Sequence, residues 1–432
     1  MAKPSQLLKF PPGFLWGTAT SSHQVEGFNT NNDWWEFEQQ PGTIHDGTHS
    51  GAACDHFARF REDFDLAASM HQNAHRLSLE WSRLEPEEGV WNEDAFEHYR
   101  AVLQALRDRN ITPMVTLHHF TNPKWLVAKG GWETPQIVKY FYRFAAEVAK
   151  AFGDLVEYWV TINEPMIYVV MGYFLKQWPP AVIDPVRGFR VAGNMMRAHA
   201  AAYQALHTLA KCPAQVGIAH HIRIFDPANP HSPLDINSAR IQSFFLNDAV
   251  TKALTSGRLV PPLGWFEHLP GPSRPMDFFG INYYSRDLVA FDITQTETLC
   301  GRNFPAPNAK QQLFGWEIYP HGLYRLCTDL KKYGVPIIIT ENGIPDNTDE
   351  LRPQFLIDHL AALHQAITDG SPVTGYFHWS LLDNFEWAEG LTPRFGLVEV
   401  DYQTQHRRIK PSGHLYAQIC KANGLSPDLV KT

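Results

Sequence analysis

Short apolar runs alternate with longer amphipathic stretches along the whole chain. Eight runs are apolar enough to be predicted strands, at 14–18, 75–79, 113–117, 158–161, 216–219, 277–281, 336–340 and 373–377. Between them, apolar residues return every three or four positions, as over 94–109 and 135–152, which predicts helices. Buried strands that alternate with helices are typical of a parallel sheet covered on both faces. The pattern predicts an α/β fold, a single (β/α)₈ barrel domain over residues 1–432.

Polar and aromatic side chains follow almost every predicted strand. In a barrel of this kind the chemistry lies at the carboxyl ends of the strands. Glu164 comes directly after the fourth strand and Glu341 after the seventh, and with these strands on opposite sides of the ring both carboxylates would converge over its mouth. Paired carboxyls are the groups that hydrolyse glycosidic bonds, one as proton donor and one as nucleophile or base. The alternative for each Glu is a structural role in an ion pair or beside a helix N-terminus.

Two histidine doublets, at 118–119 and 220–221, raise the alternative of a metal-dependent hydrolase. Adjacent residues on a strand point to opposite faces, so at most one histidine of each doublet faces the mouth. The adjacent spacing of the histidines argues against a metal site, and we expect no metal or other cofactor. His119 is the better candidate for binding a sugar hydroxyl, whereas His118 and His221 are expected in the core.

Two tryptophans past the last strand indicate a sugar-binding site. Trp379 and Trp387 lie on either side of Glu386 in the sequence. A sugar ring has a face of C–H groups that packs on an indole and a rim of hydroxyls that requires polar acceptors. The other tryptophans, including Trp34 and Trp316, are expected in the core.

Composition and charge exclude several classes of protein. Lys and Arg number 37 against 45 Asp and Glu, a net charge of −8, which is not the basic footprint of a nucleic-acid or membrane-surface binder. The longest near-apolar run, 166–175, is about half of the ~20 residues that a membrane span requires. Residues 1–12 contain no apolar signal segment, and the five cysteines show neither a disulfide framework nor metal-ligand spacing. We expect a cytoplasmic protein.

The chain resembles the family 1 glycoside hydrolases (β-glucosidases, β-galactosidases and relatives) in six motifs, which occur in the same order as in the family. The resemblance covers about residues 10–419. The motifs are FLWGTATSSHQVEG at 14–27, HRLSLEWSR at 75–83, TINEP at 161–165, GINYY at 280–284, ITENG at 339–343 and DNFEW at 383–387.

The resemblance implies a retaining β-glycosidase, foremost a β-glucosidase with some β-galactosidase or β-fucosidase activity. Small-molecule β-glycosides or oligosaccharides, including those from cellulose, would be its substrates. By the family's motifs, Glu164 is expected as acid/base and Glu341 as nucleophile, with Arg76 and Tyr284 tuning the nucleophile. The resemblance places substrate binding at Gln24, His119, Asn163, Asn282, Tyr284, Trp379, Glu386, Trp387 and Phe395.

The implied roles carry electrostatic expectations. Arg76 beside Glu341 is expected to lower the pKa of Glu341 and keep it ionised, and that charge is expected to keep Glu164 protonated. Met166 stands where the family often has Trp, and it is expected on the aglycone side. Positions 118–120 read His-His-Phe where His-Trp is common, and Leu391 replaces a frequent Tyr.

Two points stay open at this level. A sugar-binding relative without catalysis is the remaining alternative, and the presence of both Glu164 and Glu341 argues against it. Whether the chain forms a homo-oligomer is not encoded in any motif.

Overall fold

Eight parallel strands close into a barrel, in chain order around the ring. The computed structural model describes residues 7–429, so residues 1–6 and 430–432 of the predicted domain lie outside the described residues. The barrel strands are β1 (Leu15–Ala19), β2 (Ala74–Ser78), β3 (Thr112–His118), β4 (Tyr158–Asn163), β5 (Gln215–His221), β6 (Phe279–Asn282), β7 (Ile337–Asn342) and β8 (Val373–Trp379). Since β8 pairs with β1, the sheet has no free edge. The predicted (β/α)₈ barrel is confirmed.

Helices and short strands surround this barrel. The α-helices are α1 (Ser22–Val25), α2 (Asp33–Glu38), α3 (His56–Ser69), α4 (Trp81–Leu84), α5 (Glu93–Arg107), α6 (Lys124–Ala128), α7 (Ile137–Phe152), α8 (Pro165–Val169), α9 (Pro185–Leu209), α10 (Pro233–Ser243), α11 (Ala249–Ser256), α12 (His321–Leu330), α13 (Arg352–Thr368) and α14 (Pro411–Ala422). Leu8–Lys9 pairs with Gly424–Leu425, and Val398–Val400 pairs with Arg407–Ile409. Arg286–Phe291 is the middle strand of a three-stranded sheet, between Ile224–Pro227 and Gly301–Phe304. Among residues 7–429, no helix has the length and apolar character needed to cross a bilayer.

Every predicted strand overlaps an observed one, and the differences lie at the ends. Strand β4 continues to Asn163, β5 to His221 and β7 to Asn342, beyond their apolar runs. The backbone pairing continues there although the side chains have become polar, and Asn163, His221 and Glu341 line the cavity above the barrel. The strands therefore deliver the polar groups on rigid backbone.

Two apolar layers hold the barrel in place. The inner layer fills the barrel with one side chain from each strand or the residue just before it. These side chains are Ala19, Ala74, Met114, Val160, Ala219, Phe278, Ile338 and Phe377, and Trp379 and Phe395 pack with them. The outer layer lies between the barrel and the helices and includes the buried faces of α5, α7 and α9. A filled interior leaves the strand ends as the place for a cavity.

Candidate active site

A cavity of about 350 Å³ opens over the carboxyl ends of the barrel strands. Nine of the twelve sequence-predicted site residues line it: His119, Asn163, Glu164, Tyr284, Glu341, Trp379, Glu386, Trp387 and Phe395. The other three, Gln24, Arg76 and Asn282, lie behind the wall and contact residues that line it. The predicted set is thus brought together at one site.

Glu341 is held at the end of β7 by two donors. Arg76 Nη1 donates to Glu341 Oε1 at 2.5 Å, and the Tyr284 hydroxyl donates to Glu341 Oε2 at 2.5 Å. The side chain is almost fully buried, and burial raises the pKa of Glu341 to about 7 although Arg76 opposes that rise. The expected lowering of this pKa is therefore wrong, because the expectation counted the guanidinium and not the loss of water around the carboxyl.

Glu164 lies where β4 turns into α8. Its backbone is left-handed (φ 43°), and Pro165 occupies the first turn of α8, which begins there. Asn282 Nδ2 donates to Glu164 Oε1 at 2.8 Å, and His221 Nδ1 lies 3.2 Å from the same oxygen. Glu164 thus has an amide and an imidazole as neighbours, whereas Glu341 has a guanidinium and a phenol.

A chain of hydrogen bonds joins the two carboxyl groups behind the cavity. Arg76 Nη2 donates to Asn163 Oδ1 at 2.6 Å, and Asn282 Nδ2 donates to the same oxygen at 3.1 Å. Because Arg76 also donates to Glu341 and Asn282 to Glu164, Asn163 connects both sets of contacts. Its own amide nitrogen lies 3.2 Å from His119 Nε2 and so faces the cavity.

His119 lies near both tryptophans of the predicted sugar site. Its ring is near-parallel to Trp379 (centroids 5.9 Å apart, 19°) and to Trp387 (6.0 Å, 16°). Burial and the nearby Arg76 hold the pKa of His119 well below its usual range, so the ring is neutral. Its Nδ1 is buried and has no protein partner among the described residues.

Glu386 and Gln24 form the polar corner of the cavity. Gln24 Nε2 donates to Glu386 Oε2 at 3.3 Å, and Gln24 Oε1 accepts from Ser21 at 2.6 Å. Burial, with the charges of Glu341 and Glu164, raises the pKa of Glu386 to about 8. Three carboxyl groups therefore share one cavity, and the ionisation of one raises the pKa of the others.

The histidine doublets point to opposite sides, as predicted. His118 Nε2 lies 3.2 Å from Asn122 Oδ1, away from the cavity that His119 lines. His220 Nε2 lies 2.9 Å from the Asn247 carbonyl oxygen, also in the core. Within residues 7–429, no group of three or more His, Cys, Asp or Glu side chains is arranged to hold a metal ion.

Two residues expected in the core instead line the cavity. His221 contacts Glu164, and Trp316 is half-buried beside Tyr284 (centroids 6.3 Å apart). Both expectations are wrong: nothing in the sequence separates a loop tryptophan such as Trp316 from a core residue, but His221 carried a signal. Position 221 at the end of β5 was the available signal, since strand ends line the mouth.

The sequence analysis also missed a large apolar part of the cavity. Met166, which was expected on the aglycone side, lines it next to Glu164. Further apolar lining comes from the turn after α8, from α9, from the segment after α10 and from the loop over 295–304. These segments carry no recognisable motif, and only the folded chain brings them to one place.

A known family and its solved members match nearly the whole chain. The model of glycosyl hydrolase family 1 matches residues 6–261 and 267–425. Beta-glucosidase A of Thermotoga maritima is 35% identical over 96% of this chain and 99% of its own length. The 1,4-beta-D-glucan glucohydrolase of Thermotoga neapolitana is 34% identical over 97% and 99%.

The same family appears among solved structures. A beta-glycosidase from Pyrococcus horikoshii is similar with a TM-score of 0.91 and 42% identity, covering 98% of this chain and 97% of the other. The chain belongs to glycosyl hydrolase family 1 and is a glycoside hydrolase. The predicted family resemblance is confirmed.

Proposed function

We propose that the protein is a retaining β-glycosidase that removes terminal non-reducing β-D-glucosyl residues, and β-D-galactosyl or fucosyl residues less well. The observation that carries this proposal is the unlike surroundings of Glu164 and Glu341 on one cavity. Retaining hydrolysis requires two carboxyls that differ in role, one ionised and one protonated. Relatives named β-glucosidase and β-galactosidase support the substrate class.

Glu341 is the proposed nucleophile. Of the two carboxyls it alone accepts from a guanidinium, Arg76, and from a phenol, Tyr284, so negative charge is favoured there over Glu164. In the first step a Glu341 oxygen attacks the anomeric carbon and the bond from that carbon to the leaving oxygen breaks. The product of this step is a covalent glycosyl ester of Glu341.

Glu164 is the proposed acid and then base. It donates its proton to the leaving oxygen as the first bond breaks, and it is then ionised. Once Glu341 is esterified its negative charge is gone, so Glu164 is free to take a proton from water. The resulting hydroxide attacks the anomeric carbon and releases Glu341 as a carboxylate. Asn282 holds Glu164 in place through both steps.

The proposed sugar site lies between the tryptophans and the polar corner. Trp379 offers a face for the C–H side of the sugar, while Glu386 and His119 line the cavity beside its hydroxyls. Solved complexes of the Thermotoga maritima β-glucosidase with glucoimidazole and with galacto-hydroximolactam are among the similar structures. They support a site that accepts both gluco and galacto configurations.

The stereochemical outcome tests the proposal. Proton NMR of early hydrolysis of an aryl β-D-glucoside is expected to show β-D-glucose first, with the α-anomer appearing only by mutarotation. Retention corresponds to carboxyl groups ~5–5.5 Å apart, against ~6.5–9.5 Å for inversion. Initial release of α-D-glucose would overturn the double-displacement mechanism.

We also propose a cytoplasmic location. All five cysteines are free thiols in the described chain, which is typical of proteins in a reducing compartment. Cell fractionation that places the glucosidase activity outside the cytosol would contradict this assignment.

A further inference from the structure

Both side-chain contacts of Glu164 are made by the same oxygen of its carboxyl group. Asn282 Nδ2 lies 2.8 Å from Oε1, and His221 Nδ1 lies 3.2 Å from it. No hydrogen bond reaches the other oxygen, Oε2, within residues 7–429. Because Glu164 lines the cavity, Oε2 is the oxygen that is available to a substrate.

A neighbouring guanidinium fixes the direction of these hydrogen bonds. An arginine side chain only donates, so Asn163 Oδ1, 2.6 Å from Arg76 Nη2, is an acceptor. The atom of Asn282 that lies 3.1 Å from the same oxygen must then be its amide nitrogen, which also donates to Glu164. Glu164 Oε1 is therefore held as an acceptor. His221 Nδ1 bonds to this oxygen only when Nδ1 carries a hydrogen, which identifies the histidine as a second donor.

Strand register and ring packing hold His221 beside Glu164. His221 at the end of β5 is in register with Asn282 at the end of β6, so the two donors leave the barrel at the same level. The imidazole lies near-parallel to the Tyr284 ring, with centroids 5.8 Å apart and planes at 18°. Only 7% of the His221 surface is exposed, and a hydrogen bond is stronger in such surroundings than in water.

We infer that His221 is a positioning residue for the proton of Glu164: with Asn282 it keeps Oε1 as an acceptor, so that Oε2 carries the proton toward the leaving oxygen. The inference rests on the proposed function and adds a residue to its first step. In that step a Glu341 oxygen bonds to the anomeric carbon, the bond from that carbon to the leaving oxygen breaks, and the leaving oxygen takes the proton from Oε2.

The His221 donor acts on this step in two ways. A carboxyl group held by two hydrogen bonds turns less freely than one held by a single bond, so the proton stays aimed at the substrate. As the proton leaves, negative charge develops on Glu164, and a donor already in place stabilises that charge. Both effects vanish for a leaving group that departs without a proton.

The test compares two leaving groups in His221→Leu. Ethyl β-D-glucoside releases an alkoxide that needs a proton, whereas 2,4-dinitrophenyl β-D-glucoside releases a stable anion that does not. We expect kcat/KM, which reports the steps up to the first bond cleavage, to fall about 10–100-fold for the ethyl glucoside. For the dinitrophenyl glucoside we expect a loss of less than about 3-fold, whereas a general disturbance of the site would lower both equally.

Two further variants make the test independent of one substitution. His221→Phe keeps a ring against Tyr284 but removes the donor, and it is expected to behave as His221→Leu does. His221→Asn is the matched variant, because its amide nitrogen takes the place of Nδ1 and keeps a donor within reach of Glu164. We expect His221→Asn to recover most of the loss, with kcat/KM for ethyl glucoside within about 3-fold of the unchanged enzyme.

A double-variant comparison shows whether His221 acts through Glu164. Phenyl β-D-glucoside is the substrate, because its leaving group is assisted by a proton but departs measurably without one. His221→Leu is expected to lower kcat/KM at least about 5-fold when Glu164 is present and less than about 2-fold in the Glu164→Ala background.

The outcomes separate this inference from the proposed function. Equal losses for ethyl and dinitrophenyl glucosides in His221→Leu and His221→Phe, or no loss for either, would overturn the role of His221 while β-glucosidase activity stands. A loss in His221→Asn as large as in His221→Leu, or an undiminished effect in the Glu164→Ala background, would also overturn it. Failure of the unchanged enzyme to hydrolyse any β-glucoside would overturn the proposed function and the inference with it.

Discussion

At the scale of residues, two chemically identical side chains acquire different roles from their neighbours. Glu341 accepts from Arg76 and Tyr284, while Glu164 contacts Asn282 and His221. A carboxylate with cationic and phenolic donors holds charge better than one with an amide donor. The difference in neighbours, rather than any difference in the residues, is what favours the separate roles proposed for Glu341 and Glu164.

Removing each carboxyl separately is expected to give different defects. Glu341→Ala should lower kcat/KM by at least about 10⁴-fold for every substrate, with azide partly restoring activity and yielding an α-glycosyl azide. Glu164→Ala should slow alkyl glucosides about 10²–10⁴-fold and 2,4-dinitrophenyl glucoside far less, because only the alkoxide needs a proton. Steady-state kinetics with both substrates would contradict the acid assignment if the two losses were equal.

The pH dependence of activity is expected to depend on Arg76. The nucleophile must be ionised, so activity falls as the pH drops through the pKa of Glu341, which burial raises and Arg76 lowers. Arg76→Met removes the lowering effect, so the pKa of Glu341 rises further and the acidic limb of kcat/KM moves up by about one pH unit or more. Arg76→Lys keeps a charge and should move the limb less. An unmoved limb in Arg76→Met would show that Arg76 does not tune the nucleophile.

At the scale of elements, strand register places the reacting groups. Glu341 on β7 is in register with Asn282 on β6, and Asn163 on β4 with Ala219 on β5. Strands β4 and β7 are three positions apart in the ring of eight, and so lie on opposite sides of the mouth as expected from the sequence. Their side chains still share the cavity, because the mouth of an eight-stranded barrel is narrow.

Packing inside the barrel is expected to tolerate no added volume at Gly17 in β1. A Cβ there would lie 2.6 Å from the Phe377 ring and 2.7 Å from the Ala74 carbonyl oxygen. Gly17→Ala should lower the free energy of unfolding by about 1–3 kcal/mol. Thr374→Ala, at an exposed position of β8, is the control and should change it by less than about 0.5 kcal/mol. Denaturant unfolding measures both, and equal effects would contradict tight packing at Gly17.

At the scale of the whole molecule, the cavity is a mouth lined by three glutamate carboxyl groups, with an apolar extension. Glu164, Glu341 and Glu386 all line it, and Arg76 behind the wall is already paired with Glu341. Arg394 is directed to Asp383, 3.6 Å away, rather than to the cavity. Neutral glycosides fit this combination of charge and shape.

Glucosides that carry a 6-phosphate are therefore expected to be refused. Arg76 behind the wall is paired with Glu341 and the lining Arg223 with Asp287. The dianion would therefore lose its water beside the buried Glu386 without a free cation to replace it, which costs several kcal/mol. Aryl β-D-glucoside 6-phosphate should show kcat/KM at least about 100-fold below that of the plain glucoside. Galactosides should also be accepted, since Glu386 reaches an axial or an equatorial 4-hydroxyl. We expect their kcat/KM to be lower than that of glucosides. Preference for the phosphate would contradict the substrate class and leave the two-carboxyl mechanism intact.

The sequence by itself determined the barrel and the predicted residues of its site. Apolar runs and helical periodicity are local, so the eight strands could be predicted, and the side chains that follow a strand must lie at the mouth. Glu164 and Glu341 were found for this reason, and the family's motifs supplied their roles and the sugar-binding residues.

Tertiary structure alone decided the electrostatics of the site and the contacts between segments that are distant in the sequence. The pKa of Glu341 depends on enclosure by the whole chain, and enclosure outweighed the one ion pair that the sequence allowed us to predict. The contact of His221 with Glu164 depends on which histidine of a doublet turns inward. The apolar part of the cavity joins Phe174, Phe189 and Phe245 from segments without a motif. Desolvation and long-range packing arise only when distant segments meet, so no local pattern encodes them.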